Sequence, residues 1–216
     1  MPSYKLYYFD GRGFGEASRQ LFALAEVPFE DVRLNREKFM ELKPTFPYGQ
    51  VPVLEVDGVQ IPQSVAIARF LAKKFGFAGK TEVEQALVDG ICDQWKDFYA
   101  EIKPFYYGKL GYCPPGWEDV EKAKTEVLIP ARDKFFGFLK NLLNKNKSGF
   151  LVEGGVTYAD LFIVDNMALL VGWVPEYFEG HPEVKISKFQ IEAYYKRVQD
   201  IPKLKAWLAK RPNTPF

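Results

Sequence analysis

The chain has 216 residues, of which 47% are hydrophobic, 29 are basic and 28 are acidic. This length is enough for one large domain or two smaller ones with a substantial core, and the balanced charge provides no basic surface to attract nucleic acid or a membrane. No apolar run approaches the roughly 20 residues of a membrane span and no signal-peptide pattern opens the chain, so we expect a soluble, cytoplasmic protein.

The first predicted elements form a strand–helix–strand unit. Residues 4–9 are a short aromatic run typical of a strand, and in residues 16–26 the apolar side chains recur at helical spacing along one stripe. Residues 29–34 then have the pattern of a second strand. Two strands joined by a helix in this way predict a crossover unit with parallel strands.

The loop after the first strand contains Gly11 and Gly13 and has Asp31 about 20 residues further along, as in dinucleotide-binding folds. The third glycine of that motif is replaced by Glu16, whose carboxylate would stand where a pyrophosphate should bind. The next elements form a hairpin rather than another strand–helix pair. We therefore disfavour a dinucleotide site.

Residues 46–64 are the most informative stretch of the sequence. Two β-branched runs, 53–56 and 59–61, flank Asp57-Gly58, which is the strongest two-residue signal for an antiparallel hairpin. An apolar helical pattern then starts at Ser64.

Both ends of this hairpin could bind a ligand. Pro52 cannot donate to a sheet ladder, so it should begin the strand and leave the backbone of Val51 free to pair with a peptide. Ser64 is a good N-cap residue, and the free N–H groups of its helix could bind a carboxylate.

These features closely resemble the glutathione-binding half of the cytosolic glutathione transferases. The shared motifs are Gln50-Val-Pro-Val-Leu, the hairpin, and Gln63-Ser64-x-Ala-Ile-x-Arg-x-Leu-Ala. The resemblance implies an α/β thioredoxin-like domain (βαβ then ββα, with a mixed sheet) and a cis peptide bond before Pro52. It also implies that the Val51 backbone pairs with the cysteinyl part of glutathione. By the same resemblance, Gln63 and Ser64 hold the γ-glutamyl carboxylate.

The glycyl end of glutathione has an implied partner in Lys43. Residues 36–43 read as a short helix, and the family has a lysine at its end that pairs with the glycyl carboxylate. The family's usual tryptophan nearby is Phe39 here, which keeps the bulk but lacks the indole N–H donor.

Two glycines within residues 73–80 break the helical pattern and mark a linker. We place a first domain at residues 1–76, the linker at 77–82 and an all-helical domain at 83–216. Helices are predicted there over residues 82 to about 103, 120 to about 144, 158 to about 171, 188 to about 198, and 202–211. Thr157 and Asp160 form a capping box before the third of these, as in the family.

Three aspartates, Asp89, Asp93 and Asp97, lie four apart on the first long helix. Like charges at this spacing repel and normally mark a solvated face, although three carboxylates could also hold Mg²⁺ or Ca²⁺. Lys96 interrupts the cluster, so we predict no metal. The resemblance implies a homodimer in which Asp97 reaches the γ-glutamyl amino group bound to the neighbouring subunit.

The scarcity of cysteine and histidine narrows the chemistry further. Cys92 and Cys113 are the only cysteines and form no Cys-x-x-Cys pair, so no disulfide framework or dithiol motif is indicated. His181 is the only histidine, so a multi-histidine zinc site is excluded, and its loop-like position before Pro182 disfavours a Ser-His triad.

Among transferases, the first strand and its loop look most like the sigma class, which includes glutathione-dependent prostaglandin D synthase. This likeness implies that Tyr8, rather than Tyr7, activates the glutathione thiol and that Arg12 lies near it. A second arginine frequent in the class is replaced by Phe14. This replacement weakens the case for a prostaglandin isomerase and favours apolar electrophiles.

The function implied is conjugation of glutathione, as co-substrate, to apolar electrophiles in detoxification. The alternatives are a prostaglandin isomerase and a carrier of haem or apolar ligands without turnover. The glutathione-binding residues implied by the resemblance are Tyr8, Phe39, Lys43, Gln50, Val51, Pro52, Gln63, Ser64 and Asp97. Aromatic side chains are expected to line an electrophile cleft between the domains: Phe9, Phe14, Trp95, Tyr99, Tyr106 and Phe216.

Overall fold

The fold is taken from a computed structural model that describes residues 2–179 and 184–214, with side chains described at all of these except 184–189. The only histidine of the chain, His181, and the expected cleft residue Phe216 lie outside the described residues.

The first part of the chain forms a mixed four-stranded sheet. Its strands are β1 (Tyr4–Phe9), β2 (Glu30–Leu34), β3 (Val53–Val56) and β4 (Val59–Pro62), in the order β2-β1-β3-β4. β1 is parallel to β2 and antiparallel to β3, and β3 and β4 form the hairpin. The predicted crossover unit, hairpin and mixed sheet are therefore confirmed.

Three helices pack on this sheet: α1 (Glu16–Ala25), α2 (Arg36–Leu42) and α3 (Ser64–Phe75). Side chains of β1 alternate between the two faces, as a period of two requires. Leu6 and Tyr8 are buried, whereas Tyr7 is half-buried and lies 5.4 Å from the ring of Phe46 on the other face. The two adjacent tyrosines therefore have different surroundings.

The rest of the described chain is helical. Its helices are α4 (Glu82–Glu101), α5 (Lys103–Lys109), α6 (Val120–Ala123), α7 (Ile129–Lys145), α8 (Tyr158–Trp173), α9 (Val184–Gln199) and α10 (Pro202–Lys210). Within the described residues, none of these helices is both long and apolar enough to cross a membrane.

Two predicted helices differ from the observed ones because of prolines. The helix predicted to run to about residue 103 ends at Glu101, since Pro104 has no N–H for the carbonyl four residues earlier, and α5 starts in its place. The helix predicted from residue 120 contains a wide π-helical turn, Lys124–Leu128, just before Pro130. In addition, α9 begins at Val184 rather than at the predicted residue 188.

The predicted capping box at the start of α8 is confirmed. The Asp160 carboxylate accepts hydrogen bonds from the Thr157 backbone N–H (2.7 Å) and hydroxyl (2.9 Å). It also accepts from the Leu151 N–H (3.2 Å) and the Tyr194 hydroxyl (3.1 Å). Burial raises the pKa of Asp160 to about 6 despite these donors. This one carboxylate thus joins three separate segments of the helical core.

We expect Asp160→Ala to lower the free energy of unfolding by about 3 kcal/mol or more, because each buried donor left without a partner costs about 1–3 kcal/mol. Denaturant unfolding measures this loss. Asp119→Ala is the matched control, since Asp119 caps α6 at an exposed position and should cost only about 1 kcal/mol. Equal losses in the two variants would contradict a special role for the buried box.

Candidate functional site

A cleft of about 630 Å³ separates the sheet from α4 and α5. Its volume is within the range of about 300–1,000 Å³ that is typical of small-molecule sites. The sheet side contributes Phe9, Phe14, Phe39, Tyr48, Gln50, Val51, Pro52, Pro62, Gln63 and Ser64. The helical side contributes Trp95, Lys96, Tyr99, Ala100, Lys103 and Tyr107. Most of the expected binding residues therefore meet in one place.

The backbone on the sheet side is arranged as the resemblance implied. The Val51-Pro52 peptide bond is cis, and both residues face the cleft just before β3 begins at Val53. Val51 precedes the ladder of β3 with β1, which pairs Tyr7 with Val53. The backbone of Val51 therefore lies outside the ladder and faces the cleft, where a ligand could pair with its polar groups.

The start of α3 corrects one expectation. Gln63, rather than Ser64, occupies the N-cap position, because its φ of 74° turns the chain and its carbonyl accepts the first helical hydrogen bond from the Ile67 N–H at 2.9 Å. No side chain caps this helix end. The first-turn N–H groups and the Ser64 side chain are therefore available to an anion in the cleft. A positive φ in a residue other than glycine is strained by about 1–3 kcal/mol, and such strain concentrates at ligand sites.

The glycine loop between β1 and α1 lies directly on the ring of Tyr8. The Phe14 backbone N–H donates to the Tyr8 hydroxyl at 3.0 Å. A Cβ atom at Gly13 would lie 2.5 Å from this hydroxyl oxygen, and one at Gly15 would lie 2.7 Å from the ring. Both distances are too short for a side chain. The glycines thus permit close packing on a tyrosine, which gives the loop a role that needs no pyrophosphate.

Tyr8 is suited to donating a hydrogen bond over the whole neutral range. Its side chain is only 6% exposed, and this burial raises its pKa to about 12, against opposing effects of the Phe14 N–H and the charge of Arg19. The hydroxyl therefore keeps its proton at neutral pH. Because the oxygen already accepts the Phe14 N–H, the proton is free to be donated elsewhere.

Several expected site residues lie beside the cleft rather than on its wall. Lys43 is exposed, with its Nζ 5.9 Å from the centre of the Phe39 ring, so it stands at the rim. Tyr106 is buried behind Tyr99, with ring centres 4.9 Å apart. Asp97 is exposed on α4.

Arg12 is also absent from the cleft wall. Its carbonyl accepts from the Gly15 and Glu16 N–H groups, and its charge acts on Asp165 and Tyr195 of the helical part. The expectation that its side chain lies at a bound thiol receives no support from this position.

Lys103 and Tyr107 also line the cleft, although neither was among the site residues predicted from the sequence. The signal for them was Pro104, which predicts a new helix start. On a helix beginning there, residues 103 and 107 are four apart and share one face.

A buried charge cluster behind the loop also went unrecognised. The Glu16 carboxylate accepts from the Arg211 guanidinium (2.7 Å) and the Trp207 indole (2.8 Å), and Arg211 also donates to Asp165 (3.0 Å). Burial, together with the charge of Glu16, raises the pKa of Asp165 to about 6, although Arg211 opposes the rise. This cluster attaches the end of α10 to the beginning of α1.

Only two of the three regularly spaced aspartates on α4 form an exposed acidic surface. Asp89 accepts from Arg69 at 2.9 Å and from the Tyr158 hydroxyl, so it already has partners within the chain. Asp93 and Asp97 remain exposed. In the described part of the chain, no group of three or more His, Cys, Asp or Glu side chains could hold a metal ion.

Comparison with known protein families identifies two adjoining matches. Residues 4–73 match the model described as the glutathione S-transferase N-terminal domain, and residues 96–211 match the one described as the C-terminal domain. Together they span both the sheet and the helical part.

Full-length relatives agree with these matches. The chain is 46% identical to glutathione S-transferase 1 of Ascaris suum over 216 residues, all of both chains. A Nu-class transferase structure from Haemonchus contortus is 44% identical, with a TM-score of 0.87 and complete coverage of both chains. A structure described as monomeric Na-GST-3 of Necator americanus is 48% identical, with a TM-score of 0.91, covering 99% of this chain and 100% of that one.

The charge cluster predicts a pH-dependent effect of Asp165→Asn. The pKa of Asp165 is raised from its ordinary value of 3.8, so the folded state favours the protonated carboxyl, and this stabilisation is lost as pH rises through about 6. Asparagine resembles the protonated form. The variant should therefore gain stability relative to the wild type by about 2 kcal/mol between pH 4 and pH 7.

Denaturant unfolding at both pH values measures this gain. Asp200→Asn is the control, because Asp200 is exposed and forms a surface ion pair with Lys205, and its effect should change by less than about 0.5 kcal/mol. A constant difference between Asp165→Asn and the wild type would contradict the prediction.

Proposed function

Because this chain belongs to the glutathione S-transferase family, we infer that it is an enzyme that joins the thiolate of glutathione, its co-substrate, to small-molecule electrophiles. One structural observation supports this function most directly. The backbone at Val51, which precedes the sheet ladder, and the helix start at Ser64 line the same cleft, and the Tyr8 hydroxyl lies directly behind it, bonded to the N–H of the cleft residue Phe14.

We propose that glutathione lies along the sheet side of the cleft. Its γ-glutamyl carboxylate binds at Gln63 and Ser64, where the α3 N-terminus favours an anion. Its cysteinyl backbone pairs with Val51, next to the cis Pro52. The peptide thereby extends the sheet as a short added strand.

The glycyl carboxylate lies at the rim in this proposal. Lys43 supplies the positive charge there, while Phe39 and Gln50 form the adjoining wall. Since Phe39 has no polar hydrogen, this end is held by fewer hydrogen bonds than it would be with a tryptophan.

Tyr8 activates the thiol by donating its proton in a hydrogen bond to the sulfur. The thiol proton leaves to solvent and Tyr8 keeps its own. Lowering a thiol pKa from about 8.5 to about 6.5 requires roughly 2.7 kcal/mol. One or two hydrogen bonds to a charged group supply about 1.5–3 kcal/mol each. Arg12 supports this step indirectly, because its carbonyl closes the turn that presents the Phe14 N–H.

The electrophile binds against an aromatic wall of Phe14, Trp95 and Tyr99, whose ring centres are 4.8 to 6.0 Å apart. Phe9 lines the same cleft, and Tyr106 supports the wall from behind. In the reaction the sulfur lone pair forms a C–S bond. A leaving group such as halide departs with the electron pair of its bond. When an activated alkene is attacked, a proton from solvent completes the addition.

The finer assignments belong to the same proposal. The motifs of β1 and its loop favour a sigma-like class, and the Nu-class relative offers the competing assignment. An apolar Phe14 in the wall favours conjugation over prostaglandin isomerisation.

A cytoplasmic location suits an enzyme that needs reduced thiols. We place the domain boundaries at residues 1–76, 77–82 and 83–216.

Removal of the Tyr8 hydroxyl tests the assignment. Tyr8→Phe keeps the shape of the pocket but removes the donor to the thiolate. Turnover of a chlorodinitrobenzene-type electrophile at neutral pH should fall roughly 10- to 100-fold, the equivalent of about 1.4–2.7 kcal/mol, with little change in glutathione affinity. Tyr7→Phe is the control and should affect stability more than rate, because Tyr7 lies on the other face of β1. Near-normal turnover by Tyr8→Phe would refute the role.

A homodimer is the assembly that we propose. Val83 and Leu87 on α4 are 72% and 53% exposed, and Leu87 adjoins Phe138 of α7 in an apolar groove. Exposed apolar surface of this kind marks an interaction site. Asp93 and Asp97 are exposed on the same helix, where they could meet cationic groups of a second copy. The relative described as monomeric represents the opposite outcome.

A heterodimer decides whether Asp97 acts across the interface. Asp97→Asn alone should weaken glutathione binding by about 1–2 kcal/mol, as expected for a partly exposed charge-assisted hydrogen bond. When one subunit carries Asp97→Asn and the other Tyr8→Phe, action in trans puts both lesions in one site. The other site then stays active. A purified heterodimer with no wild-type-like site would contradict the action of Asp97 in trans. A chain that stays monomeric would contradict the proposed dimer.

A further inference from the structure

Arg19 on α1 is a fully buried arginine beside Tyr8. Its Nε donates to the Asp31 carboxylate at 3.0 Å, and its two terminal nitrogens reach the carbonyls of Gly11 (2.6 Å) and Phe9 (3.4 Å). The centre of its guanidinium lies 5.8 Å from the centre of the Tyr8 ring. A single planar group therefore contacts a strand end, a loop and a neighbouring strand.

The two carbonyls are the places where the chain leaves β1 for the glycine loop. Phe9 is the last residue of β1, and the Gly11 N–H donates back to the Phe9 carbonyl at 2.8 Å. Three residues later the same loop presents the Phe14 N–H to the Tyr8 hydroxyl. Fixing the origin of the loop therefore fixes where its amide meets the tyrosine.

The charges around Arg19 hold it in place. A Glu16 carboxylate oxygen lies 3.6 Å from a terminal nitrogen of Arg19 on the same helix. The Asp31 carboxylate also forms an ion pair with the Nε of Arg33 at 2.9 Å. Tyr8 in turn interacts electrostatically with Arg19, Asp165 and Tyr107. A buried ion pair is seldom an efficient source of stability, because desolvation of the charges offsets their attraction. A geometric role accounts better for such a costly group at this point.

We propose that Arg19 is a positioning residue for the transferase reaction, holding the loop after β1 so that the Phe14 amide and the Tyr8 hydroxyl stay aligned toward the glutathione sulfur. The proposal rests on the function proposed for Tyr8. Arg19 does not line the cleft, so direct binding of glutathione does not explain why this arginine is buried. A positioning role does explain it.

Arg19→Lys tests the alignment because lysine keeps the charge but cannot hold two carbonyls and Asp31 in one plane. The readout is the thiol pKa of glutathione in the binary complex, followed by the ultraviolet absorbance of the thiolate. The variant should raise this pKa by about one unit, a roughly tenfold loss of thiolate below the midpoint. Turnover at low substrate and pH 6.5 should fall by a similar factor, with glutathione affinity little changed.

Arg211→Lys is the matched control. Arg211 is also largely buried and also pairs with Glu16, but from α10, and its other partner is Asp165. This variant should lose thermal stability and leave the thiol pKa unchanged. A merely structural role for Arg19 would make the two lysine variants behave alike.

Tyr8→Phe in the same titration distinguishes a failure of the function proposed for Tyr8 from a failure of the positioning role proposed for Arg19. If it leaves the thiol pKa unchanged, the function proposed for Tyr8 fails. If it raises the thiol pKa while folded Arg19→Lys does not, the positioning role alone is overturned.

Asp31→Asn provides a second test of the positioning role if Arg19→Lys does not fold. It keeps Arg19 but removes the charge that holds its Nε, so hydrogen exchange of the Phe14 amide should accelerate roughly tenfold, equivalent to about 1.4 kcal/mol of lost protection. Asp200→Asn should leave that exchange unchanged. Unaltered exchange in Asp31→Asn would overturn the proposal.

Discussion

The hydrogen bond from the Phe14 amide to the Tyr8 hydroxyl is the interaction on which the rest of the site depends. It forms only because Gly13 and Gly15 let the loop approach the ring more closely than any side chain would allow. The bond occupies an oxygen lone pair and leaves the proton free, while burial keeps the hydroxyl protonated. A neutral donor that is already aligned can stabilise a thiolate without reorganising when the charge appears.

This loop is anchored on both sides by buried charge. Arg19 holds its origin at β1, and Glu16 at its far end is fixed by Arg211 and Trp207 of α10. Arg19 therefore fixes the start of the loop beside the tyrosine, whereas the contacts of Glu16 attach the far end of the loop to the helical part of the chain. Such paired and hydrogen-bonded charges specify one arrangement, even where they add little net stability.

Local signals predicted much of the fold, and long-range contacts account for most of what they missed. Asp57-Gly58 and the β-branched runs were enough for the hairpin, because turn chemistry acts between neighbours. Resemblance to the family implied the roles proposed for Val51 and Gln63, both of which line the cleft. The partnership of Asp89 with Arg69 joins residues 20 positions apart and depends on how α3 packs against α4. The contacts of Arg19 likewise follow from tertiary packing, whereas the helix start near Pro104 was a local signal left unused.

The most direct measurement is the ionisation of glutathione bound to the wild-type enzyme, followed by thiolate absorbance as pH is varied. If the aligned hydroxyl of Tyr8 stabilises the thiolate, the midpoint should lie near pH 6.5, about two units below the ordinary thiol value of about 8.5. A midpoint equal to that of free glutathione would contradict thiol activation by this site.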